Sequence, residues 1–196
     1  ITITTEDAEG NIDTSAASVQ VTHQSVAASF PDANNRFSNI RSGGISLDST
    51  NNRLVVSDFD EVFAVNLSTG ARDVLIASGS IEDPIKRVEV DEVAGRMYIT
   101  AYELSSSFIY SANSDGSGLM AIDESPAAKN YPHGMKFSPF DGRLYITDTQ
   151  QVYSIDPADS SVLFEAVPAD FTIFGPRGLD VVAANSILLA EFEEQG

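Results

Sequence analysis

The chain lacks several residue types that particular functions require. Its 196 residues include no cysteine, no tryptophan and only two histidines, so it can form neither disulfide bonds nor a thiolate metal site. No run approaches the roughly eighteen consecutive apolar residues of a membrane-spanning helix, so no membrane span is expected. Basic residues are scarce: 11 Lys and Arg against 29 Asp and Glu give a formal net charge of −18. Phosphate backbones repel a chain this acidic, so no nucleic-acid partner is expected.

What remains is a composition suited to a folded, acidic module. Hydrophobic residues make up 42% of the chain, which is enough for a real core. The acidic surface suits a salty or extracellular medium, and acid-rich loops could also collect Ca²⁺, the one cofactor that the sequence suggests. The chain begins Ile-Thr-Ile without an initiator Met or a signal-peptide pattern, so we expect a processed product or a piece of a longer protein.

One pattern recurs four times along the chain, starting at Gly44, Arg87, Gly134 and Gly178, that is, 43, 47 and 44 residues apart. The copy at 134–148 alternates apolar and polar residues on either side of an Asp-Gly turn, as two antiparallel strands do. After the second strand, the first three copies continue into a third and an outer strand, and the links are too short for crossover helices. Four short strands at this period predict the blades of an all-β propeller.

Two known kinds of propeller repeat resemble these copies. Arg96-Met-Tyr-Ile-Thr and Leu144-Tyr-Ile-Thr-Asp148 resemble the Tyr-Trp-Thr-Asp repeats of lipoprotein-receptor-type propellers, and Gly44-Ile-Ser-Leu-Asp48 resembles NHL-type repeats. The resemblance implies a six-bladed propeller in the full protein, with three to four blades in residues 25–196. Both families are mostly binding scaffolds with a minority of enzymes. The departures are the missing tryptophan and Ala101, which replaces the expected Asp.

Residues 1–24 form a separate unit. Ile1–Thr4 and Ala17–Thr22 alternate as strands do, and residues 7–11 have turn chemistry, so the pattern predicts a β-hairpin. The segment resembles the last two strands of bacterial immunoglobulin-like or hyalin-repeat domains, which implies that it closes such a domain. A two-stranded hairpin is not stable by itself, so it must pack on something.

Candidate binding residues come from propeller geometry, in which the loop entering the innermost strand and the loop after the second strand open on one face. Cationic or titratable residues precede three innermost strands, and carboxylates follow the second strands. Together they are Lys86, His133, Arg177, Asp58, Asp148 and Glu191. Such a rim could bind a carboxylate, a sugar acid, a peptide end or a metal. The alternative is structural: the aspartates hydrogen-bond backbone between blades, and the cations pair with acids.

His133 lies in a short motif of its own. Tyr131-Pro-His-Gly134 resembles a stretch of the streptogramin-inactivating and peptide-amidating propeller lyases, in which a channel His serves as base or ligand. The only other histidine, His23, lies in the N-terminal linker, so His133 lacks the partners that those enzymes need. We therefore expect that His133 is not catalytic.

The favoured interpretation is a bacterial extracellular, cell-surface or periplasmic module that binds a protein, peptide or carbohydrate on its channel face. One alternative is a lyase or lactonase-type enzyme using His133. Another is a structural subunit of a surface assembly, paired with neighbouring chains through open strand edges. This chain alone is not expected to close a six-bladed ring, nor is the hairpin of residues 1–22 expected to pair onto Ile187–Phe192.

Overall fold

The computed structural model describes residues 2–6, 12–16, 44–103, 106–123, 132–148, 151–160, 162–164, 178–183 and 186–190. These residues form sixteen β-strands joined by turns and loops, and none of them is helical. Three sheets have four antiparallel strands and two have only two described strands. The all-β class predicted from the repeats is confirmed.

The sheets follow one another along the chain, and each four-stranded sheet is one propeller blade. The N-terminal hairpin comprises β1 (Thr2–Glu6) and β2 (Ile12–Ala16). Blade 1 comprises β3 (Ile45–Asp48), β4 (Arg53–Asp58), β5 (Glu61–Asn66) and β6 (Arg72–Ile76). Blade 2 comprises β7 (Ile85–Asp91), β8 (Arg96–Glu103), β9 (Ser106–Asn113) and β10 (Met120–Asp123). Blade 3 comprises β11 (Gly134–Phe137), β12 (Leu144–Thr147), β13 (Val152–Ile155) and β14 (Val162–Phe164), and blade 4 is described by β15 (Gly178–Ala183) and β16 (Ser186–Ala190).

Alternation along each innermost strand builds the core between consecutive blades. In β7, Val88 and Val90 are buried against Val55 and Val62 of blade 1. At the equivalent positions of β11, Met135 and Phe137 pack on Tyr98 and Ile109 of blade 2. In β15, Leu179 and Val181 pack on Tyr145 and Val152 of blade 3. One face of β7, β11 and β15 is therefore covered by the preceding blade, which leaves the other face to approach the channel.

A polar clasp joins blades 1 and 2 at the turn ends of their strands. Arg53 donates to the buried carboxylate of Asp48 at 2.7 Å and to the carbonyl oxygen of Ser114 in blade 2 at 2.6 Å. Burial alone would raise the pKa of Asp48, but hydrogen bonds from Asn51 and Arg53 outweigh it and hold that pKa below its usual value. Beside the clasp, Glu92 accepts hydrogen bonds from the backbone and side chain of Ser49.

A hydroxyl group at the end of the second strand satisfies the backbone where the innermost strand begins. The N–H of Gly44 donates to Ser57 Oγ at 2.6 Å, and the N–H of Gly134 donates to Thr147 Oγ1 at 2.8 Å. In blade 2, pairing shifts by one residue between Ile85 and Arg87, which is a β-bulge. There the equivalent hydroxyl, Thr100 Oγ1, is buried without a partner in the described part of the chain.

We predict opposite outcomes for valine substitution at these two threonines. Thr147→Val should lower the free energy of unfolding by about 1–3 kcal/mol, because it leaves the buried N–H of Gly134 without its side-chain acceptor. Thr100→Val makes the same replacement of a hydroxyl by a methyl group, but the hydroxyl that it removes has no hydrogen-bond partner in the described residues. The free energy of unfolding should therefore stay unchanged or rise slightly. Urea unfolding monitored by circular dichroism measures both, and equal losses would contradict the prediction.

The hairpin is present, but its second strand begins earlier than predicted. Strand β2 begins at Ile12 rather than Ala17, and Ile12 pairs with Glu6 at the end of β1. Residues 17–22 lie outside the described residues. Within the described ranges, β1 pairs with β2 in one sheet, and β15 pairs with β16 in another. The described part of the hairpin therefore does not extend blade 4, as expected from the sequence.

Candidate ligand-binding site

The innermost strands β3, β7, β11 and β15 line an open depression of about 570 Å³. The first position of each repeat is Gly44, Arg87, Gly134 or Gly178, so three of the four carry no side chain there. A Cβ at Gly44 would lie only 2.7 Å from the backbone nitrogen of Val88, which shows that β3 and β7 approach each other at backbone distance. The absence of a side chain at Gly44 therefore lets β3 and β7 come together.

The third position of each repeat carries a polar side chain, and three of the four are joined across blades. These residues are Ser46, Glu89, Lys136 and Asp180. Glu89 Oε1 lies 2.7 Å from Lys136 Nζ, and Glu89 Oε2 accepts from Ser46 Oγ at 3.3 Å. Ser46 Oγ also accepts from the backbone N–H of Val90 at 3.0 Å. The bonds link blades 1, 2 and 3 side by side at one level of the depression.

Glu89 is the buried centre of this group. Glu89 is 7% exposed, and this burial raises the pKa of its carboxyl above the usual value. Lys136, the backbone N–H of Phe137 and Ser46 each lower that pKa, but they do not outweigh the effect of burial. The carboxylate is thus held by three groups on the two neighbouring strands β3 and β11, and it cannot turn toward solvent without losing them. Its position fixes the ammonium group of Lys136.

Two charged groups that line the depression are accessible to a ligand. The Lys136 side chain is 38% exposed, and within the described ranges its ammonium contacts Glu89 alone. Asp180 is exposed, and in the same part of the chain its carboxylate accepts only from the adjacent N–H of Val181, at 3.0 Å. The depression therefore offers N–H donors and carboxylate acceptors together.

The predicted carboxylates Asp58 and Asp148 are both buried. Each residue is 2% exposed. Asp58 accepts from the backbone N–H of Phe59 at 2.9 Å, and Asp148 accepts from the side-chain amide of Gln151 at 2.8 Å. Each of these hydrogen bonds joins groups of one loop within a single blade.

The other predicted residues lie near the strand starts. Lys86 is the residue at the β-bulge of β7, and its ammonium lies 4.8 Å from the ring centre of Tyr102. His133 is half-buried, and its backbone N–H donates to the carbonyl oxygen of Thr147 at 2.8 Å. Arg177 and Glu191 lie outside the described residues. The depression is not lined by any of the four described members of the predicted set, Lys86, His133, Asp58 and Asp148. A ligand-binding role for this set stays a prediction.

The residues that do line the depression were available from the repeat alignment. Glu89, Lys136 and Asp180 line it, and each lies two positions after the start of its repeat, as does Ser46, the hydrogen-bond partner of Glu89. A column in which a hydroxyl, a carboxylate, an ammonium and a carboxylate replace one another does not serve a uniform packing role. In the described part of the chain no three His, Asp or Glu side chains are grouped as a metal site requires, and no helix there is long and apolar enough to cross a membrane.

Comparisons with known proteins identify the fold alone. No family model and no curated protein matches the chain. Among solved structures, the nidogen/laminin complex is similar with a TM-score of 0.64 and 18% identity over 76% of this chain and 54% of that chain. Hydrazine synthase of Kuenenia stuttgartiensis has a TM-score of 0.54 and 15% identity over 76% of this chain and 45% of that chain. The extracellular domain of a putative hybrid two-component system from B. thetaiotaomicron has a TM-score of 0.54 and 8% identity over 78% of this chain and 21% of that chain. The chain is a β-propeller by structure and spans about half of the nidogen/laminin chain.

Proposed function

We propose that this chain belongs to an extracellular propeller module that binds a protein or peptide on its channel face. The observation that carries the proposal is the depression itself, in which Lys136 and Asp180 present charged groups that the described fold does not use fully. Pockets of this size with a few convergent polar groups are the usual places of ligand binding. The similar nidogen/laminin structure is, by its description, a complex of two proteins, which supports a protein partner here.

The finer assignments belong to the same proposal. The repeats are of the lipoprotein-receptor or NHL kind, and residues 1–24 are the end of an immunoglobulin-like domain preceding the propeller of residues 25–196. An acidic surface with a formal charge of −18 is consistent with a secreted or periplasmic bacterial module. The ring is completed to six blades outside residues 25–196, and carbohydrate remains a second ligand class for the same depression.

A displayed library of random peptides tests the proposal while the natural partner is still unidentified. Peptides selected on the wild-type chain should bind Asp180→Asn at least about tenfold more weakly, which corresponds to about 1.4 kcal/mol in binding free energy. Asp73→Asn is the matched control, because Asp73 is an exposed strand aspartate on β6 and does not line the depression. Failure to enrich any peptide, or equal binding to both variants, would contradict a channel-face binding site.

A further inference from the structure

We propose that protonation of Glu89 controls access to the Lys136 ammonium: ionised Glu89 holds this cation, and protonated Glu89 releases it to an anionic group of the ligand. This inference rests on the proposed binding function and states how acidity regulates the same site. Binding of an anionic group on the channel face should therefore strengthen as the medium becomes acidic.

The ion pair joins a buried group to an accessible one. Glu89 Oε1 lies 2.7 Å from Lys136 Nζ, and the two side chains are 9% and 38% exposed. Among the described residues, Glu89 supplies the one carboxylate at ion-pair distance from Lys136. Loss of the negative charge on Glu89 removes the attraction that holds the ammonium at the wall of the depression, so the ammonium can turn toward a ligand.

The surroundings of Glu89 favour the neutral form of its carboxyl. Burial raises the pKa of Glu89 in the folded protein, although Lys136, the backbone N–H of Phe137 and Ser46 lower it. A proton therefore binds Glu89 at a pH at which an exposed glutamate is still ionised. Ser46 Oγ lies 3.3 Å from Glu89 Oε2, and a hydroxyl accepts as well as donates, so the protonated carboxyl keeps a hydrogen-bond partner.

Strands β3, β4, β8 and β11 pack against β7, so their charged groups also bear on Glu89. Besides Lys136, the charged or titratable residues on the same strand faces as Glu89 and Ser46 are Asp48, Arg53, Arg87, Asp91, Arg96 and Tyr98. Asp48 is held by its arginine at 2.7 Å, and Asp91 accepts from backbone N–H groups of its own turn. Burial raises the pKa of the tyrosine, so this phenol stays neutral where Glu89 titrates. Lys136 is the charged group that contacts Glu89 in the described part of the chain.

The depression becomes positive when Glu89 takes up a proton. Its charged lining residues are Arg87 and Lys136, which are cations, and Glu89 and Asp180, which are anions. Two cations and two ionised carboxylates sum to zero, so protonation of one carboxylate leaves one positive charge. A bound anion in turn favours the protonated form of Glu89, because the coupling between the two binding events is reciprocal.

Sulfate is a suitable probe of this coupling because it stays a dianion throughout the pH range in which Glu89 titrates. In a ¹⁵N-labelled chain, sulfate should shift the backbone amide resonance of Lys136 saturably. Its Kd should fall at least about fivefold between about pH 8 and about pH 5. Glu89→Gln should bind sulfate at about pH 8 as tightly as the wild type does at about pH 5.

A matched variant separates Glu89 from the general loss of negative charge in acid. Glu82→Gln also removes one carboxylate, but Glu82 is exposed and does not line the depression, so this variant should keep the pH dependence of the wild type. The wild type gives a test without substitution. In a chain labelled with ¹³C at the glutamate carboxyl carbons, saturating sulfate should raise the titration midpoint of Glu89.

The inference is overturned if sulfate does not shift Lys136 at either pH, or if sulfate leaves the titration midpoint of Glu89 unchanged. Equal pH dependence of sulfate binding in Glu89→Gln and Glu82→Gln would overturn it as well. If library-selected peptides bind in an Asp180-dependent manner while sulfate binding does not depend on Glu89, this inference fails and the proposed binding function stands.

Discussion

Gly116→Ala should lower the free energy of unfolding by at least about 3 kcal/mol, because two separate costs coincide at this turn. Gly116 has φ +89, a conformation that side-chain-bearing residues rarely adopt. In addition, a Cβ there would lie 1.9 Å from the carbonyl oxygen of Leu75 on β6 of blade 1, and this atom belongs to the backbone. The blade 2 turn could accept a methyl group only by separating from blade 1.

Gly70→Ala isolates the conformational cost from the steric one. Gly70 has φ +71, and nothing approaches its hypothetical Cβ within 4 Å. Its replacement should therefore cost about 1–2 kcal/mol, the penalty of a left-handed conformation alone. Guanidinium unfolding of both variants gives the comparison. A Gly116→Ala loss no larger than that of Gly70→Ala would show that the turn does not rest on blade 1.

Lys136→Met should cost about 2–3 kcal/mol at pH 7, because it leaves the buried carboxylate of Glu89 without its cation. Loss of one partner of a buried pair is more damaging than loss of both, since the remaining charge stays desolvated. The half-exposed position of Lys136 reduces the effect below that of a fully buried pair. Thermal unfolding at several pH values measures the loss.

The sign of the pH dependence follows from Glu89. Burial already raises the pKa of this carboxyl in the folded protein, and removal of Lys136 raises it further. A folded-state pKa above the unfolded one means that the folded state binds more protons between the two values, so stability falls as pH rises through that window. The penalty of Lys136→Met should be small near pH 4 and complete above the folded-state pKa. A penalty independent of pH would show that the variant acts through packing.

The sequence was sufficient to predict the blades because strand period and turn chemistry are local properties. The innermost strands begin at Ile45, Ile85, Gly134 and Gly178, within two residues of the predicted repeat starts. Asp141-Gly142 forms the predicted turn, with φ +73 at the glycine. Each of these features depends on neighbours in the chain, so it can be predicted before the three-dimensional arrangement is determined.

The site was harder to predict because it depends on which face of a strand is covered. Asp58 and Asp148 follow their strands as rim residues would, yet each is only 2% exposed and accepts a hydrogen bond from a residue close to it in the chain. Conversely, Glu89 is a charged residue within a strand, and its partner Lys136 belongs to the next repeat. Only the packing of one blade on the next brings such residues together. The number of blades, the immunoglobulin-like assignment of residues 1–24 and the ligand stay predictions.

A double-mutant cycle between Glu89 and Lys136 tests most directly whether the innermost strands of successive repeats stand side by side around the depression. The cycle compares the unfolding free energies of Glu89→Gln, Lys136→Met and the double variant at pH 7 with that of the wild type. Residues this far apart in the chain interact only if β7 and β11 are adjacent. The structure predicts a coupling free energy of at least about 1 kcal/mol, with the double variant more stable than Lys136→Met alone. Additive losses, within about 0.3 kcal/mol, would contradict the arrangement.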